Sequence, residues 1–388
     1  RSANRGPVAA HIMIGLEPPM FEITQHTRLR RSPFYDATVA DGVSSFMTYN
    51  QMLLPTGYGD PEAEYWRLLE GVAMWDVAAE RQVQIEGPDA ARMVQMLVAR
   101  DLSKCVVGQG RYVPLCDHTG TLVNDPVLLK RADDCFWLSI ADSDMLIYTR
   151  AVAGERKLDV TITEPDVSPL AVQGPKADDL VAHMFGDWVR KLKYFWFRDM
   201  TIEGIPVVVQ RSGWSKQGGF EIYLRDGSRG TDLWNLVREA GAEYDIGPGN
   251  PNPCERVESG LLSWGGDTDD QTNPFEVRLG RYVDVEREYE EDVVGLEALR
   301  RINEEGPKRY QIGVVLDGDE PAPSHAYWYG IEQNGEPVGH MTNGVWSRRL
   351  KRNIGFALVS RDVAVGSRVD INKDGVKVGA ETVWLPFI

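Results

Sequence analysis

Apolar positions recur along this chain at strand spacing and at helical spacing, and the two patterns come in pairs. QVQIEGPDAARMVQMLV at 82–98 and SPLAVQGPKADDLVAHMF at 168–185 each open on a short apolar strand and pass through Gly-Pro-x-Ala. Each then continues with helical periodicity, as at Met93, Met96 and Leu97. Proline fits the first helical turn, where its missing N–H would have no partner. The repeat predicts two related α+β units. From about residue 309 onward, short alternating runs are separated by Asn334-Gly335, Asn343-Gly344 and Asp374-Gly375, the punctuation of turns. That region predicts a small β-barrel or β-sandwich. An acidic stretch at 286–292 and a short helix at 296–302 read as the connector, its charges a solvated face. The opening RSANRGPVAAHIMIGLEPPM lacks a continuous apolar core of signal-peptide length, and residues 1–27 are expected to form a flexible tail outside the fold.

Composition narrows the class. At 388 residues the chain exceeds the size at which one core keeps growing, so two or three domains are expected. Hydrophobic residues at 43% and charged residues at 26% are those of an ordinary soluble protein, and no apolar run approaches the ~18 residues of a membrane span. A net charge of −16 repels nucleic acid and anionic membranes alike. The one dense basic cluster, Arg348, Arg349, Lys351 and Arg352, is a solvated loop or a contact for a small polyanion. Cys105, Cys116, Cys135 and Cys254 show no CxxC spacing, which offers neither a disulfide framework nor a zinc site and points to a reducing, cytoplasmic compartment. No metal is expected.

The common catalytic signatures are missing: GxGxxG, the P-loop, HExxH and GxSxG do not occur. Asp370, Asn372, Asp374, Gly375 and Glu381 match a calcium-loop pattern formally. Their flanks alternate like strands rather than helices, and Lys377 stands where an apolar residue is usual, so the segment reads as a hairpin turn.

Candidate chemistry concentrates in RSGWSKQGGFEIY at 211–223. If the run from Phe220 to Tyr223 is a strand, Glu221 and Tyr223 share one face and Phe220 and Ile222 the other. Gly218 and Gly219 are expected to keep the approach open. A carboxylate on such a ledge accepts two parallel N–H bonds, the pair offered by the ring N–H and exocyclic amine of a pterin, and Trp214 is placed to stack on the same flat ligand. The alternative is an exposed strand glutamate with a core tryptophan.

This segment resembles the RTGYTGEDGFEI motif of the glycine cleavage T-protein family, aminomethyltransferases in which that glutamate binds the folate pterin. Further pieces are similar in order: WDV at 75–77, Gly-Pro-Asp-Ala, Tyr112, 120–125, LAVQGPKA at 170–177, ERVESGLLSWG at 255–265 and GHMTNGVWS at 339–347. The similarity is closer to the family's dimethylsulfoniopropionate demethylases, through RRSPF at 30–34, YNQMLLPT at 49–56, ERQVQIEGPDA at 80–90, RDLSK at 100–104, LVNDPV at 122–127, FWLSIADSD at 136–144 and NPFE at 273–276. What this resemblance implies is an α+β, three-domain aminomethyltransferase-type fold: two interleaved α+β domains over 28–290 that bind folate, and a C-terminal β-barrel domain over 291–388. It implies tetrahydrofolate as cofactor and a small-molecule methyl donor as partner. The oligomeric state is left open.

The resemblance also carries roles. Glu221, Trp214, Tyr112 and Arg256 are expected at the folate, Arg256 either on its tail or in an ion pair with Glu258. Asp125 matches the second acid of the T-protein's Asp-Asp pair and is expected to orient or deprotonate the cofactor amine; otherwise it is a strand-end aspartate capping a turn. Asn124 replaces the first acid, which suits a methyl donor better than an aminomethyl donor. Arg111 departs from the two neighbouring aromatics of the demethylases. Its guanidinium would repel a sulfonium but can hold a substrate carboxylate in a bidentate pair. Tyr194, Phe195, Trp196 and Phe197 are either an onium-binding run, with only two on one face by alternation, or plain packing. The expected reaction is methyl transfer to N5, giving 5-methyltetrahydrofolate and 3-methylthiopropionate. The alternatives are aminomethyl transfer, demethylation of a methylated amine such as glycine betaine or dimethylglycine, and non-catalytic folate binding, although the KGCYxGQE segment of such binders does not occur.

Overall fold

The structure is a computed structural model that describes residues 26–318, 321, 329–373 and 375–388; among these, two open sheets and a closed barrel organise the chain. The first sheet runs Thr161–Thr163, Gln82–Glu86, Cys135–Ser139, Val127–Ala132, Gly110–Tyr112. The second runs Phe197–Ile202, Ile205–Gln210, Gly219–Leu224, Ser168–Gln173, Ala73–Asp76, Gly247–Gly249, with only the last pairing parallel. Each Gly-Pro repeat belongs to a different sheet. The strand Ala73–Asp76, early in the chain, completes the later sheet, so the two units interleave.

Alternation decides what each sheet faces. In the second sheet Leu170, Val172, Val207, Val209, Phe220 and Ile222 point to one side and pack with Leu180, Leu233 and Trp234 of the covering helices. In the first, Val83, Ile85, Leu128, Phe136 and Leu138 pack on Met93, Val94 and Leu97. The opposite faces meet: Leu129 and Trp137 lie against Val208, Tyr223 and Phe197. Helices therefore cover the outside and two sheets stack inside. Polar residues on the inner faces are trapped between sheets, and Glu221 is one of them.

The Gly-Pro repeat serves a turn rather than the helix itself. The helices begin two residues after proline, at Ala90 and Ala177, where the N–H groups of both alanines reach back to Gly87 and Gly174 at 3.0 Å. Gly87 and Gly174 adopt φ of 138° and 127°. A Cβ on Gly174 would lie 2.6 Å from the Gly71 carbonyl, so glycine is required there.

The C-terminal region closes as a barrel in the order Arg309–Leu316, Arg352–Ser360, Glu336–Ser347, Tyr329–Gln333, Arg368–Lys373, Val376–Val383, the barrel alternative of the two expected. Asn334-Gly335 does turn a hairpin, with φ of 53° and 84°. Asn343-Gly344 does not: it lies inside the twelve-residue strand Glu336–Ser347, next to a bulge between Met341 and Asn343. Gly355 on the neighbouring strand lets the backbones approach there. The strands flanking the calcium-like pattern pair as a hairpin, with Asp374 itself outside the described residues. The connector helix extends over Leu296–Glu305.

A short helix, Pro253–Glu258, joins the sheets to the barrel. Asn252 caps it through Oδ1 to the N–H groups of Cys254 and Glu255 at 3.1 and 3.0 Å, and Pro253 occupies its first turn, the arrangement favoured at helix starts. Glu258, with no exposure at all, accepts from Tyr65 Oη at 2.8 Å, Ser347 Oγ at 2.6 Å and the Arg349 guanidinium. Arg348 lies over the Tyr65 ring at 5.3 Å. The two arginines of the basic cluster that carry these contacts thus act structurally, docking the barrel. Replacing Glu258 by alanine leaves the buried hydroxyls of Tyr65 and Ser347 and the half-buried Arg349 without their shared acceptor. It should lower unfolding free energy by about 3–5 kcal/mol, the usual cost of breaking a buried charged pair, measured by denaturant titration of both chains.

Candidate active site

The inner face of the second sheet presents Glu221, only 6% exposed. Its register partners are Ala171 and Gln210. One carboxylate oxygen accepts from Tyr223 Oη at 2.8 Å, and Tyr223 is also 2.9 Å from Gln210 Oε1. Phe220 and Ile222 lie in the opposite core, as alternation requires. Burial raises the Glu221 carboxyl above its ordinary range, while the hydroxyls of Tyr223 and Ser212 pull it back. Gly219 does not open an approach: its Cβ would lie 2.3 Å from the Val172 carbonyl, so it permits tight strand pairing. Gly218, at φ 82° with no neighbour near a Cβ, is the open one.

Across the cleft, Asp125 follows the strand Leu122–Asn124 and accepts from Tyr112 Oη at 2.7 Å. Its pKa is pushed up to about 6, first by burial, with Tyr112 opposing and Asp267 adding to the rise. Tyr112 meets Tyr282 edge-on at 5.1 Å. Asn124 is fully buried and uses its whole amide: Nδ2 donates to Ala141 O at 3.0 Å and Ser143 Oγ at 2.8 Å, while Oδ1 accepts from the N–H groups of Asp125 and Ala141. It positions Asp125 rather than touching a substrate.

Two residues of this site were not among the expected site residues, although they open the segments YNQMLLPT and ERQVQIEGPDA. Glu80 lies in the turn between Ala73–Asp76 and Gln82–Glu86. Burial raises its carboxyl well above the ordinary range, and Glu221 and then Asp125 raise it further. Tyr49, at the end of Ser45–Tyr49, is raised well above its ordinary value by burial, then by Glu80 and Asp125. The available signal was a lone acid after the apolar Val77-Ala78-Ala79. It marks a charge carried by a buried turn.

The remaining expectations are redistributed. Arg256 is 4% exposed. It pairs with Asp267 and donates to Leu261 O at 3.0 Å, so the expected ion pair with Glu258 is not made: Glu258 is taken by Arg349. Instead the Arg256 guanidinium lies 5.5 Å over the Trp214 ring, and Trp214 Nε1 donates to Leu262 O at 3.0 Å. The pair fixes the 211–219 loop, with Glu255 Oε1 accepting from Lys216 N, Gln217 Nε2 and Ser259 Oγ. Tyr112, on the strand Gly110–Tyr112, turns toward Asp125, so alternation sends Arg111 the other way.

The aromatic run is not a strand. Phe195 takes φ of 65°, and the strand begins only at Phe197. The break brings Tyr194 and Phe195 to 4.4 Å. Tyr194 is 57% exposed, yet its phenol end turns inward: Oη donates to Gly213 O at 3.3 Å, and desolvation followed by Glu221 pushes it up to about 12. Trp196 instead carries the Lys193 ammonium 6.0 Å from its ring centre, a cation where an onium was expected. Phe197 is core.

Three carboxyls, Glu80, Glu221 and Asp125, thus converge between tyrosines, and none of them forms an ion pair among the described residues. Such a site favours ligands that bring N–H donors or positive charge. A buried acceptor on a sheet face with no arginine partner fits the donor edge of a pterin.

Comparison with known proteins agrees with this geometry. Residues 34–287 match the GCVT N-terminal domain and residues 309–388 the glycine cleavage T-protein C-terminal barrel domain. The chain belongs to the glycine cleavage T-protein family and is a tetrahydrofolate-dependent one-carbon transferase. Among curated relatives it is 43% identical over 342 residues to the dimethylsulfoniopropionate demethylase DmdA of Ruegeria pomeroyi, covering 88% of this chain and 92% of that one. It is 29% identical to an aminomethyltransferase of Symbiobacterium thermophilum, over 92% and 97% of the two chains. The crystal structure of the glycine cleavage system aminomethyltransferase T from Bartonella henselae superposes with a TM-score of 0.80 at 21% identity, over 93% and 98% of the chains, and shares the fold. Among the described residues no helix is long and apolar enough to cross a membrane.

Replacing Tyr112 by phenylalanine removes the donor that holds the Asp125 pKa down. The Asp125 carboxyl, at about 6 with the bond in place, should then rise. If ionised Asp125 is required, the acid limb of kcat/KM moves to higher pH in the variant, read from pH–rate profiles of the two enzymes.

Proposed function

We propose that the protein demethylates dimethylsulfoniopropionate, passing the methyl group to N5 of tetrahydrofolate and releasing 5-methyltetrahydrofolate and 3-methylthiopropionate. The observation that carries this reading is the convergence of buried Glu221 with half-buried Glu80 and Asp125, none of them ion-paired among the described residues, in a chain 43% identical to a dimethylsulfoniopropionate demethylase. A sulfonium donor is positively charged and leaves as a neutral thioether, so the site needs no acid for the leaving group. What the chain supplies is alignment and exclusion of water, worth about 7–11 kcal/mol where alignment is good.

Glu221 is the pterin anchor, held ready by Tyr223 and Ser212. Tetrahydrofolate, when bound, supplies N5 as the nucleophile. Asp125 keeps one oxygen on Tyr112 and leaves the other to orient the acceptor amine or take its proton. A pKa of about 6 keeps most of Asp125 ionised at neutral pH. Trp214 and Arg256 hold the loop that delivers Glu221, and Tyr194 stands at the open edge. The reading includes a cytoplasmic setting and a division of the chain into a folate-binding part at 28–290 and a barrel part at 291–388.

Incubating the pure protein with tetrahydrofolate and each donor in turn tests the assignment. 5-Methyltetrahydrofolate formed with dimethylsulfoniopropionate, and not with glycine betaine or dimethylglycine, is the expected outcome. Formation of 5,10-methylenetetrahydrofolate would instead identify aminomethyl transfer. Glu221→Ala should weaken tetrahydrofolate binding by about 2–5 kcal/mol, the cost of removing a buried charged partner, with little change in melting temperature. Unchanged affinity in a calorimetric titration would remove Glu221 as the pterin anchor.

A further inference from the structure

Hydrogen bonds lock the Glu80 turn to both of the other carboxylates. From the Asp125 side, Asn50 Nδ2 donates to Ala79 O at 2.9 Å and Ala141 O at 3.1 Å. Asn124, next to Asp125, bonds the same Ala141 through both its carbonyl and its N–H. From the Glu221 side, Tyr223 donates to Glu221, and the Ser139 hydroxyl holds down the pKa of the same phenol. Ser139 Oγ accepts from Gln82 Nε2 at 2.9 Å, and Gln82 Nε2 donates to Glu80 O at 2.8 Å. The turn is therefore fixed over the space that Asp125 and Glu221 face.

Within that frame the Glu80 carboxylate has no hydrogen-bond or ion-pair partner among the described residues. The cation beside it is already committed: Arg81 turns away to Glu164, which Arg30 also holds. Gln82 Oε1, fully buried, accepts no bond either. The charged and titratable groups acting on Glu80 and its neighbours are Glu221, Asp125, Tyr49 and Tyr223, all of them acidic. Glu221 has its hydroxyl partners and Asp125 has Tyr112, which leaves Glu80 as the carboxylate lacking a role.

Building on the demethylase reading, we infer that Glu80 is a specificity-determining residue: its carboxylate faces the onium group of the methyl donor and selects cationic donors over neutral ones. Like charges cannot all ionise in one buried site. Glu80 carries a proton while the donor is absent, and the arriving onium expels that proton to solvent. The donor thereby replaces the proton as the neutralising charge. Once the methyl has left and the thioether is neutral, Glu80 takes up a proton again and its hold on the product is lost. The same residue that favours entry of the sulfonium therefore favours release of 3-methylthiopropionate.

Glu80→Gln tests this, since it keeps the side chain's shape and removes its charge. Affinities for trimethylsulfonium, a cation with no carboxylate, and for dimethyl sulfide, its neutral thioether counterpart, are measured by calorimetry with wild type and variant, alongside KM for dimethylsulfoniopropionate. The expected result is a loss of about tenfold or more for both sulfonium compounds, with the thioether and tetrahydrofolate held within about twofold, as the removal of one facing charge requires. Wild-type affinity for trimethylsulfonium should also rise with pH, and that slope should flatten in Glu80→Gln. Equal losses for sulfonium and thioether, or an unchanged ratio and slope, overturn the inference. Glu80→Asp, which retains the charge, should recover part of the sulfonium preference; if it does not while the fold is intact by melting temperature, charge is not the cause. Trimethylsulfonium binding that depends on Glu80, in a protein that does not demethylate dimethylsulfoniopropionate, would refute the demethylase assignment and leave the role of Glu80 standing.

Discussion

Everything in this protein's cleft hangs on the charged side chains of one short helix, Pro253–Glu258. In consecutive turns it sends Glu255 to the loop that carries Trp214, Arg256 to Asp267, and Glu258 to Tyr65, Ser347 and Arg349. Asp267 in turn accepts from Thr342 of the barrel at 2.8 Å. Each of these charges is buried, where an unpaired charge is costly: Arg256 and Glu258 are paired by Asp267 and Arg349, and Glu255 is held through one oxygen by neutral N–H and O–H donors. The helix can therefore occupy a single position relative to both sheets and barrel. That single position also fixes the loop leading to Glu221.

The cleft follows the opposite electrostatic rule. Where the joining helix pairs Arg256 with Asp267 and Glu258 with Arg349, the space between the sheets gathers Glu80, Glu221 and Asp125, none of them ion-paired among the described residues. Tyr112 and Tyr223 each donate to one carboxylate and are themselves pushed well above their ordinary range by burial and by that carboxylate. They remain neutral donors across the working pH range. An imbalance of this kind raises the cost of the empty site and lowers the cost of filling it with a pterin edge or an onium ion.

Glycine and asparagine set the cleft's shape without touching a ligand. Gly213, at φ 146°, packs so closely on the Gln173 side chain that a Cβ would lie 2.0 Å from Nε2. Gly110 similarly admits the Phe195 carbonyl, to which its N–H donates at 2.6 Å. Asn50 and Asn124 are both buried; Asn50 bonds the carbonyls of Ala79, Ile140 and Ala141, Asn124 bonds Ala141 O and Ser143 Oγ, and together they hold the Glu80 and Asp125 corners. Any substitution here acts on the chemistry through the backbone.

Periodicity in the sequence was enough to find the two Gly-Pro units, the connector helix and a β-rich C-terminal region, because burial of one face of a strand or helix imposes its period locally. Alternation was enough to put Glu221 and Tyr223 on one face. Asn343-Gly344 misled because glycine marks close backbone approach inside a barrel as well as a turn. The aromatic run misled because one left-handed residue, Phe195, breaks its alternation. Arg256, Asn124 and Arg111 were legible as polar residues in the right segments, but their partners, Asp267, Ala141 and the far side of a strand, come from elsewhere in the chain or from the direction of a side chain. Glu80 stood at the head of ERQVQIEGPDA, but no chemical pattern marked its role. By itself the sequence determined the local periods, the carboxylate ledge and the family resemblance. Only the tertiary structure decided which carboxyls meet and which cations are already paired, because charge balance in a buried cleft is set by distances between residues far apart in the chain.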